Sequence, residues 1–160
     1  MTRQHYVCAE LSKRFIPNAL LPDRFSDEDI LLGKKGGEKV EYIQVKSSHP
    51  DRNAIGRGSW ELGGVDFELW KEAKDNQFVV FVWLGSPDTN ESPSYWIARK
   101  SEVGKKFAPM RNGSGIWRIS ADTESSISAK WNYPTKMETS WRNNWKLFDN
   151  YKTQLFNQRK

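Results

Sequence analysis

The chain has 160 residues, a hydrophobic content of 37% and a net charge of +5, which indicate one globular domain rather than a disordered chain. No apolar run approaches the roughly 20 residues of a membrane span, and no secretory signal opens the chain, so we expect a cytoplasmic protein without a membrane partner. The single cysteine, Cys8, excludes an internal disulfide and a zinc site built from cysteines.

Charge is divided unevenly along the chain. Residues 1–98 carry 12 basic against 15 acidic side chains, a net of −3, and residues 99–160 carry 13 against 5, a net of +8. Basic surfaces attract phosphates and acidic ones can hold metal ions, so this division suits a nucleic-acid enzyme. Many proteins with a similar imbalance bind no nucleic acid, so the division alone does not decide the function.

The first predicted element is a helix over residues 3–15, because Val7, Leu11 and Phe15 are spaced for one buried face. Residues 16–26 contain two prolines and are predicted to form a loop. A β-hairpin follows. Asp29 opens an apolar run, two glycines make a turn, and residues 40–46 return with alternating side chains.

The later elements make the predicted fold an α/β or α+β sandwich, with a small mixed sheet flanked by helices. We predict the order α-β-β-(β)-α-β-β-α within a single domain, residues 1–160. Trp141 and Trp145 are four residues apart, so we expect them to share a face and to pack on the body of the protein. The predicted later elements are a polar loop at 47–58, a helix at 65–74, a strand at 78–84 buried on both faces, a strand at 94–98, a short helix capped by Ser101, a strand at 116–119 and a helix-capable segment at 137–155.

The returning strand of the hairpin carries the most informative residues. Because side chains alternate along a strand, Gln44 and Lys46 lie on one face, and Asp29 can face them from the neighbouring strand. Asp29, the amide of Gln44 and the carbonyl of Val45 supply the hard oxygen ligands that Mg²⁺ prefers. Lys46 has only donors, so it would meet a phosphate oxygen or orient a metal-bound water. The alternative is that Asp29 caps a turn while Gln44 and Lys46 are ordinary surface residues.

An acid opening one strand, followed by Gln44-Val45-Lys46 on the next, resembles the motif of the PD-(D/E)xK nuclease superfamily. The glutamine resembles the QxK variant of Mrr-type restriction nucleases. The resemblance covers residues 3–108 as a stand-alone core, with a basic, Trp-rich extension at 109–160. It implies a restriction-endonuclease-like core and a site that uses Mg²⁺, with Mn²⁺ as an alternative. No proline directly precedes Asp29, and the neutral Gln44 predicts weaker metal binding, which Asp27 and Glu28 are candidates to offset.

The resemblance also implies that Glu10 assists at the site, because the first helix of these proteins often carries an acid. The alternative for Glu10 is an ion pair within its own helix. Ser47, Ser48 and Arg57 follow the catalytic strand and are the candidate nucleic-acid contacts.

The function that these features imply is a metal-dependent DNA nuclease, either an endonuclease or an exonuclease. Duplex cleavage needs two cuts, so a homodimer is a candidate assembly. Two alternatives stay open. One is an RNA substrate, since metal-assisted hydrolysis does not distinguish the two sugars. The other is a binding module of the same fold with little catalysis, which grips nucleic acid or a protein.

Overall fold

The computed structural model describes residues 3–22, 27–33, 39–48, 59–62, 65–85, 92–110, 117–120 and 135–152. The α-helices in these ranges are α1 (Arg3–Lys13), α2 (Phe67–Lys71) and α3 (Lys100–Phe107). The strands are β1 (Asn18–Leu20), β2 (Ile30–Gly33), β3 (Val40–Ser48), β4 (Ser59–Leu62), β5 (Gln77–Trp83), β6 (Ser94–Arg99), β7 (Trp117–Ser120) and β8 (Thr135–Lys136). Short 3₁₀ helices cover Ala108–Met110, Thr139–Trp141 and Trp145–Tyr151. Within these ranges, no helix has the length and apolar character needed to cross a membrane.

The main sheet has five strands in the order β1-β2-β3-β5-β6. The β3–β5 pair is parallel and its other pairs are antiparallel, so the predicted mixed sheet with flanking helices is confirmed. Parallel neighbours need a crossover connection, and the chain between β3 and β5 includes α2. A second, three-stranded sheet in the order β4-β7-β8 was not expected from the sequence.

Both faces of the main sheet are covered by apolar side chains. One face, called here the α2/α3 face, packs Val79 and Phe81 of β5 against those two helices. The opposite α1 face packs Phe78 and Val80 against α1 and the last 3₁₀ helix. Successive residues of β5 therefore enter two separate cores, which confirms the prediction of a strand buried on both sides.

Helices α2 and α3 approach each other closely at Gly104. A Cβ added there would lie 2.4 Å from the backbone nitrogen of Lys71, well inside van der Waals contact. Glycine is therefore required at this position for the two backbones to pack together.

The segment from Thr135 to Lys152 passes around the outer edge of β6. Trp141 packs on the α2/α3 face, and Trp145 packs on the α1 face with its ring centroid 5.1 Å from that of Tyr95. Between them, Asn143 has a φ of 50° and its amide donates a 2.9 Å hydrogen bond to the Tyr95 carbonyl. The expectation that the two tryptophans share a face is wrong, although both are buried as expected.

Four local expectations also fail, each for a physical reason. Phe15 does not extend the buried face of α1, because the helix ends at Lys13 and Phe15, with a φ of 59°, is 52% exposed. Over residues 137–152, the described part of the segment expected to be helical, two 3₁₀ helices replace the α-helix, because the left-handed Asn143 interrupts it. Strand β1 lies in the segment expected to be a loop, since it is a three-residue edge strand without an alternating pattern. Ser101 does not cap α3, because the helix begins one residue earlier, directly after β6.

Candidate active site

Asp29 is held by three different elements at the point where β2 begins. Its backbone amide donates to the carbonyl of Ile43 and its carbonyl accepts from the amide of Leu21, each at 2.9 Å. One carboxylate oxygen accepts a 2.6 Å hydrogen bond from the amide of Val45. The other accepts a 3.1 Å bond from the side-chain amide of Gln4, at the start of α1. The carboxylate is therefore fixed beside β3, opposite the QxK tripeptide.

Gln44 and Lys46 lie on the α2/α3 face of β3, where they are in register with Val79 and Phe81 of β5. Gln44 is only 9% exposed, and no described residue supplies a hydrogen bond to its buried amide oxygen. An enclosed acceptor without a donor is unfavourable by about 1–3 kcal/mol, a condition that Gln44 shares with buried atoms of Ser47, Trp60 and Asn144. A bound cation would satisfy this oxygen.

Lys46 is partly buried, and the part of the chain that the structure describes supplies no hydrogen bond or ion pair to its ammonium group. Burial lowers the pKa of Lys46, because the enclosed ammonium loses water. The charge of Asp29 opposes this shift, and the charge of Lys100 adds to it. Asp27 and Arg3 have smaller effects, in opposite directions. The lysine therefore stands among charged groups without being neutralised by a direct partner.

A buried ion pair lies on the same side of the molecule. The ammonium of Lys100 is 2.6 Å from a carboxylate oxygen of Glu28, and the two side chains are 5% and 8% exposed. The side-chain amide of Gln77 donates to the same oxygen at 3.2 Å, and the ring of Trp70 lies 5.3 Å from the ammonium. This pair connects the residue before Asp29 to the first residue of α3. Glu28 therefore binds a lysine, and its carboxylate is not free to offset the neutral Gln44.

The structure places Glu10 away from these residues. Its carboxylate pairs with Lys13 at 2.8 Å and with Arg14 at 2.5 Å, both within α1. Burial raises the pKa of Glu10, but hydrogen bonds from these two partners lower it more, so the net shift is downward. The guanidinium of Arg14 lies 4.5 Å from the centroid of Trp145, on the α1 face. Glu10 therefore matches the intrahelical alternative, and the residue of α1 that contacts the site is Gln4.

The predicted nucleic-acid contacts are placed only in part. The hydroxyl of Ser47 is buried without a hydrogen-bond partner, so it is not available at the surface. Ser48 ends β3, but its side chain, like the whole of Arg57, lies outside the described residues.

The oxygen ligands at the site fit Mg²⁺ in kind. Asp29 supplies a carboxylate, and Gln44 supplies the unsatisfied amide oxygen. Because the amide and carbonyl of one strand residue point to the same side, the Val45 carbonyl also faces Asp29. Among the described residues, however, no group of three or more His, Cys, Asp or Glu side chains is placed to hold a metal ion. A single carboxylate predicts weak binding.

No family model matches this chain, and no match was found among curated proteins or solved structures. The resemblance to the PD-(D/E)xK superfamily therefore stays a prediction, based on Asp29, Gln44 and Lys46 alone. Sequence reasoning missed Gln4 and the pairing of Glu28 with Lys100. The only available signals were a polar residue at the start of a helix and a charged residue directly after an apolar strand.

Proposed function

We propose that this protein is a metal-dependent nuclease of the PD-(D/E)xK type that hydrolyses phosphodiester bonds of DNA. The observation that carries the proposal is that Asp29 is hydrogen-bonded to Val45, between Gln44 and Lys46. The backbone of Val45, between Gln44 and Lys46, is thus held against the Asp29 carboxylate just before β2. The unsatisfied amide oxygen of Gln44, and the ammonium of Lys46 for which the described residues supply no partner, support a ligand-binding role.

The residues divide the work by their chemistry. Asp29 and Gln44, with the Val45 carbonyl, would hold Mg²⁺ or Mn²⁺, which supplies Lewis-acid stabilisation and an activated water when bound. Lys46 binds a non-bridging oxygen of the scissile phosphate and meets the negative charge that develops there. Gln4 orients Asp29 through its 3.1 Å hydrogen bond, so the carboxylate keeps its position as substrate enters.

Two broader features support a nucleic-acid substrate. The mixed sheet brings the acid and the QxK tripeptide onto neighbouring strands, as the proposed site requires. The last 62 residues of the sequence carry the net charge of +8, which favours approach of a polyanion. With one such site in each chain, cleavage of both strands of a duplex calls for a homodimer.

The decisive experiment is plasmid cleavage by purified protein in Mg²⁺ or Mn²⁺ and in EDTA, with methylated and unmethylated substrate. Asp29→Asn keeps the shape of the carboxylate, and Lys46→Met keeps the length of the side chain. Matched controls are Asp149→Asn and Lys74→Met, which change exposed residues elsewhere. We expect metal-dependent nicking or linearisation that both site variants abolish and both controls retain. Cleavage that survives both site substitutions would show that the proposed site is wrong.

A binding module on the same fold is the second candidate, favoured by one observation. Both oxygens of Asp29 already accept hydrogen bonds, so the carboxylate has a structural task without a metal. This candidate predicts a salt-sensitive mobility shift of DNA in EDTA, with no cleavage in any metal. A labelled single-stranded RNA in the same assay tests the RNA substrate, which would be cut while the plasmid stays intact.

A further inference from the structure

A second polar cleft lies at the opposite end of the main sheet, where β3 and β5 begin and β6 ends. Its volume is about 500 Å³, and its lining includes Lys39, Glu41, Asp75, Asn76, Arg99 and Tyr151. Side chains alternate along β3, so Glu41 points to the face opposite that of Gln44 and Lys46. The cleft therefore opens on the α1 face rather than the α2/α3 face. It is separate from the proposed nuclease site in both position and orientation.

Glu41 forms one wall of this cleft. Its carboxylate accepts a hydrogen bond from the hydroxyl of Tyr151, while its second oxygen is enclosed and has no partner among the described residues. Burial raises the pKa of Glu41, against the opposing effects of Tyr151, Arg99 and Lys39. The terminal torsion of a glutamate is soft, so we expect a cation in the cleft to draw this oxygen towards itself. The cleft thus contains an acceptor that a cationic N–H group would satisfy.

Arg99 stands across β5 from Glu41 and carries the opposite charge. Its guanidinium donates to the backbone carbonyl of Asp75 and lies 5.1 Å from the ring centroid of Phe78. The charge of Arg99 is close enough to affect Glu41, and both side chains are described, yet no ion pair joins them. Each is held by its own partner: Arg99 by a carbonyl and a ring, Glu41 by a phenol. Two opposite charges are therefore fixed on either side of an open volume.

We propose that this cleft binds a small zwitterion of the amino-acid type, with its ammonium group at Glu41 and its carboxylate at Arg99 and Lys39. A volume of about 500 Å³ lies in the range of small-molecule sites and admits such a ligand together with water. Glu41 and Arg99 each have a partner before binding, so these two side chains lose little freedom when the ligand enters, whereas the exposed Lys39 loses more. A purely anionic ligand would leave the second oxygen of Glu41 unsatisfied, and a purely cationic ligand would leave Arg99 and Lys39 without an anion.

Isothermal titration calorimetry with the twenty common L-amino acids tests the proposal, using the full chain. Sodium acetate and methylammonium chloride serve as probes that each carry one of the two charges. We expect at least one amino acid to bind, and both single-charge probes to bind at least about tenfold more weakly. Glu41→Gln keeps the shape of the side chain and should weaken amino-acid binding about tenfold. Lys39→Met, at an exposed position, should weaken it by a smaller factor, whereas the control Lys74→Met should have no effect.

The absence of binding by every amino acid at millimolar concentration would overturn the proposal. So would acetate binding as tightly as the best amino acid, because the cationic half of the assignment would then be wrong. Circular dichroism checks that each variant is folded. If Glu41→Gln does not fold, the loss of amino-acid binding in Lys39→Met is the test, and unchanged binding there would overturn the proposal. None of these residues belongs to the nuclease site, so plasmid cleavage and amino-acid binding succeed or fail independently.

Discussion

The buried pair of Glu28 and Lys100 allows a sharp test of the structure. Lys100→Met removes the ammonium but keeps a long side chain, and it leaves the carboxylate of Glu28 enclosed without its cation. Breaking a buried ion pair from one side destabilises a protein by about 3–5 kcal/mol. The free energy of unfolding of a domain of this size is about 5–15 kcal/mol, so the variant loses a large share of its stability. The melting temperature should fall by roughly 6–20 °C.

The companion variant Glu28→Gln removes the other charge and still offers an oxygen to the amide of Gln77. In the double variant neither side chain of this pair is charged, so we expect the double variant to be more stable than Lys100→Met alone. The coupling between the two substitutions is measured by urea unfolding of the wild type, both single variants and the double variant. Lys71→Met is the matched control, because its pair with Glu68 is exposed at 35% and 62% and should contribute less than about 1 kcal/mol.

Two results would refute this reasoning. If Lys100→Met lowers the free energy of unfolding by less than about 1 kcal/mol, the pair contributes no more than an exposed ion pair does. Strictly additive effects in the double variant would show that the two side chains do not act on each other.

Three further predictions concern packing, backbone conformation and charge. Gly104→Ala should lower the free energy of unfolding, measured in urea, by at least about 1–3 kcal/mol, because its Cβ would overlap the backbone of Lys71. Gly33→Ala is the control and should be almost neutral, because a Cβ at Gly33 meets nothing within 4 Å. Asn143→Val should cost about 1–2 kcal/mol and Asn143→Gly almost nothing, since a β-branched residue tolerates a positive φ poorly. Folding lowers the pKa of Lys46 below its ordinary 10.5, so burying the charged ammonium destabilises the folded state at neutral pH. This destabilisation fades as the pH rises from the lowered pKa towards 10.5. Lys46→Met should therefore be more stable than wild type at pH 7, with a gain that shrinks in urea melts at rising pH; a constant gain would contradict the lowered pKa.

The sequence predicts the elements whose side chains follow a regular pattern. The alternation in β3 and the continuous apolar run of β5 identify both strands, and the spacing of Val7 and Leu11 identifies α1. The second sheet is not predictable in this way, because β4 and β7 are short and their pairing joins residues almost 60 positions apart. The prediction for the C-terminal segment fails for another reason, because its aromatic residues have helical spacing but pack into two different cores.

The candidate site shows the same division. Asp29, Gln44 and Lys46 could be brought together from sequence because a hairpin pairs neighbouring strands in a simple register. The pairing of Glu28 with Lys100 spans 72 positions and depends on how α3 follows β6, which no local pattern encodes. Glu10 has the residue type expected of a helical acid, but its partners one turn later determine its role.

The passage of the C-terminal segment around β6 also limits how two copies of this protein can meet. An uncovered edge strand offers its backbone to a neighbouring chain, which is a common route to a continuous sheet across a dimer. Here the carbonyl of Tyr95 is already bound by the amide of Asn143, and Trp96 forms a β-bridge with Arg142. We therefore expect the dimer proposed for duplex cleavage to form through a different surface, with the β6 side of each subunit facing outward.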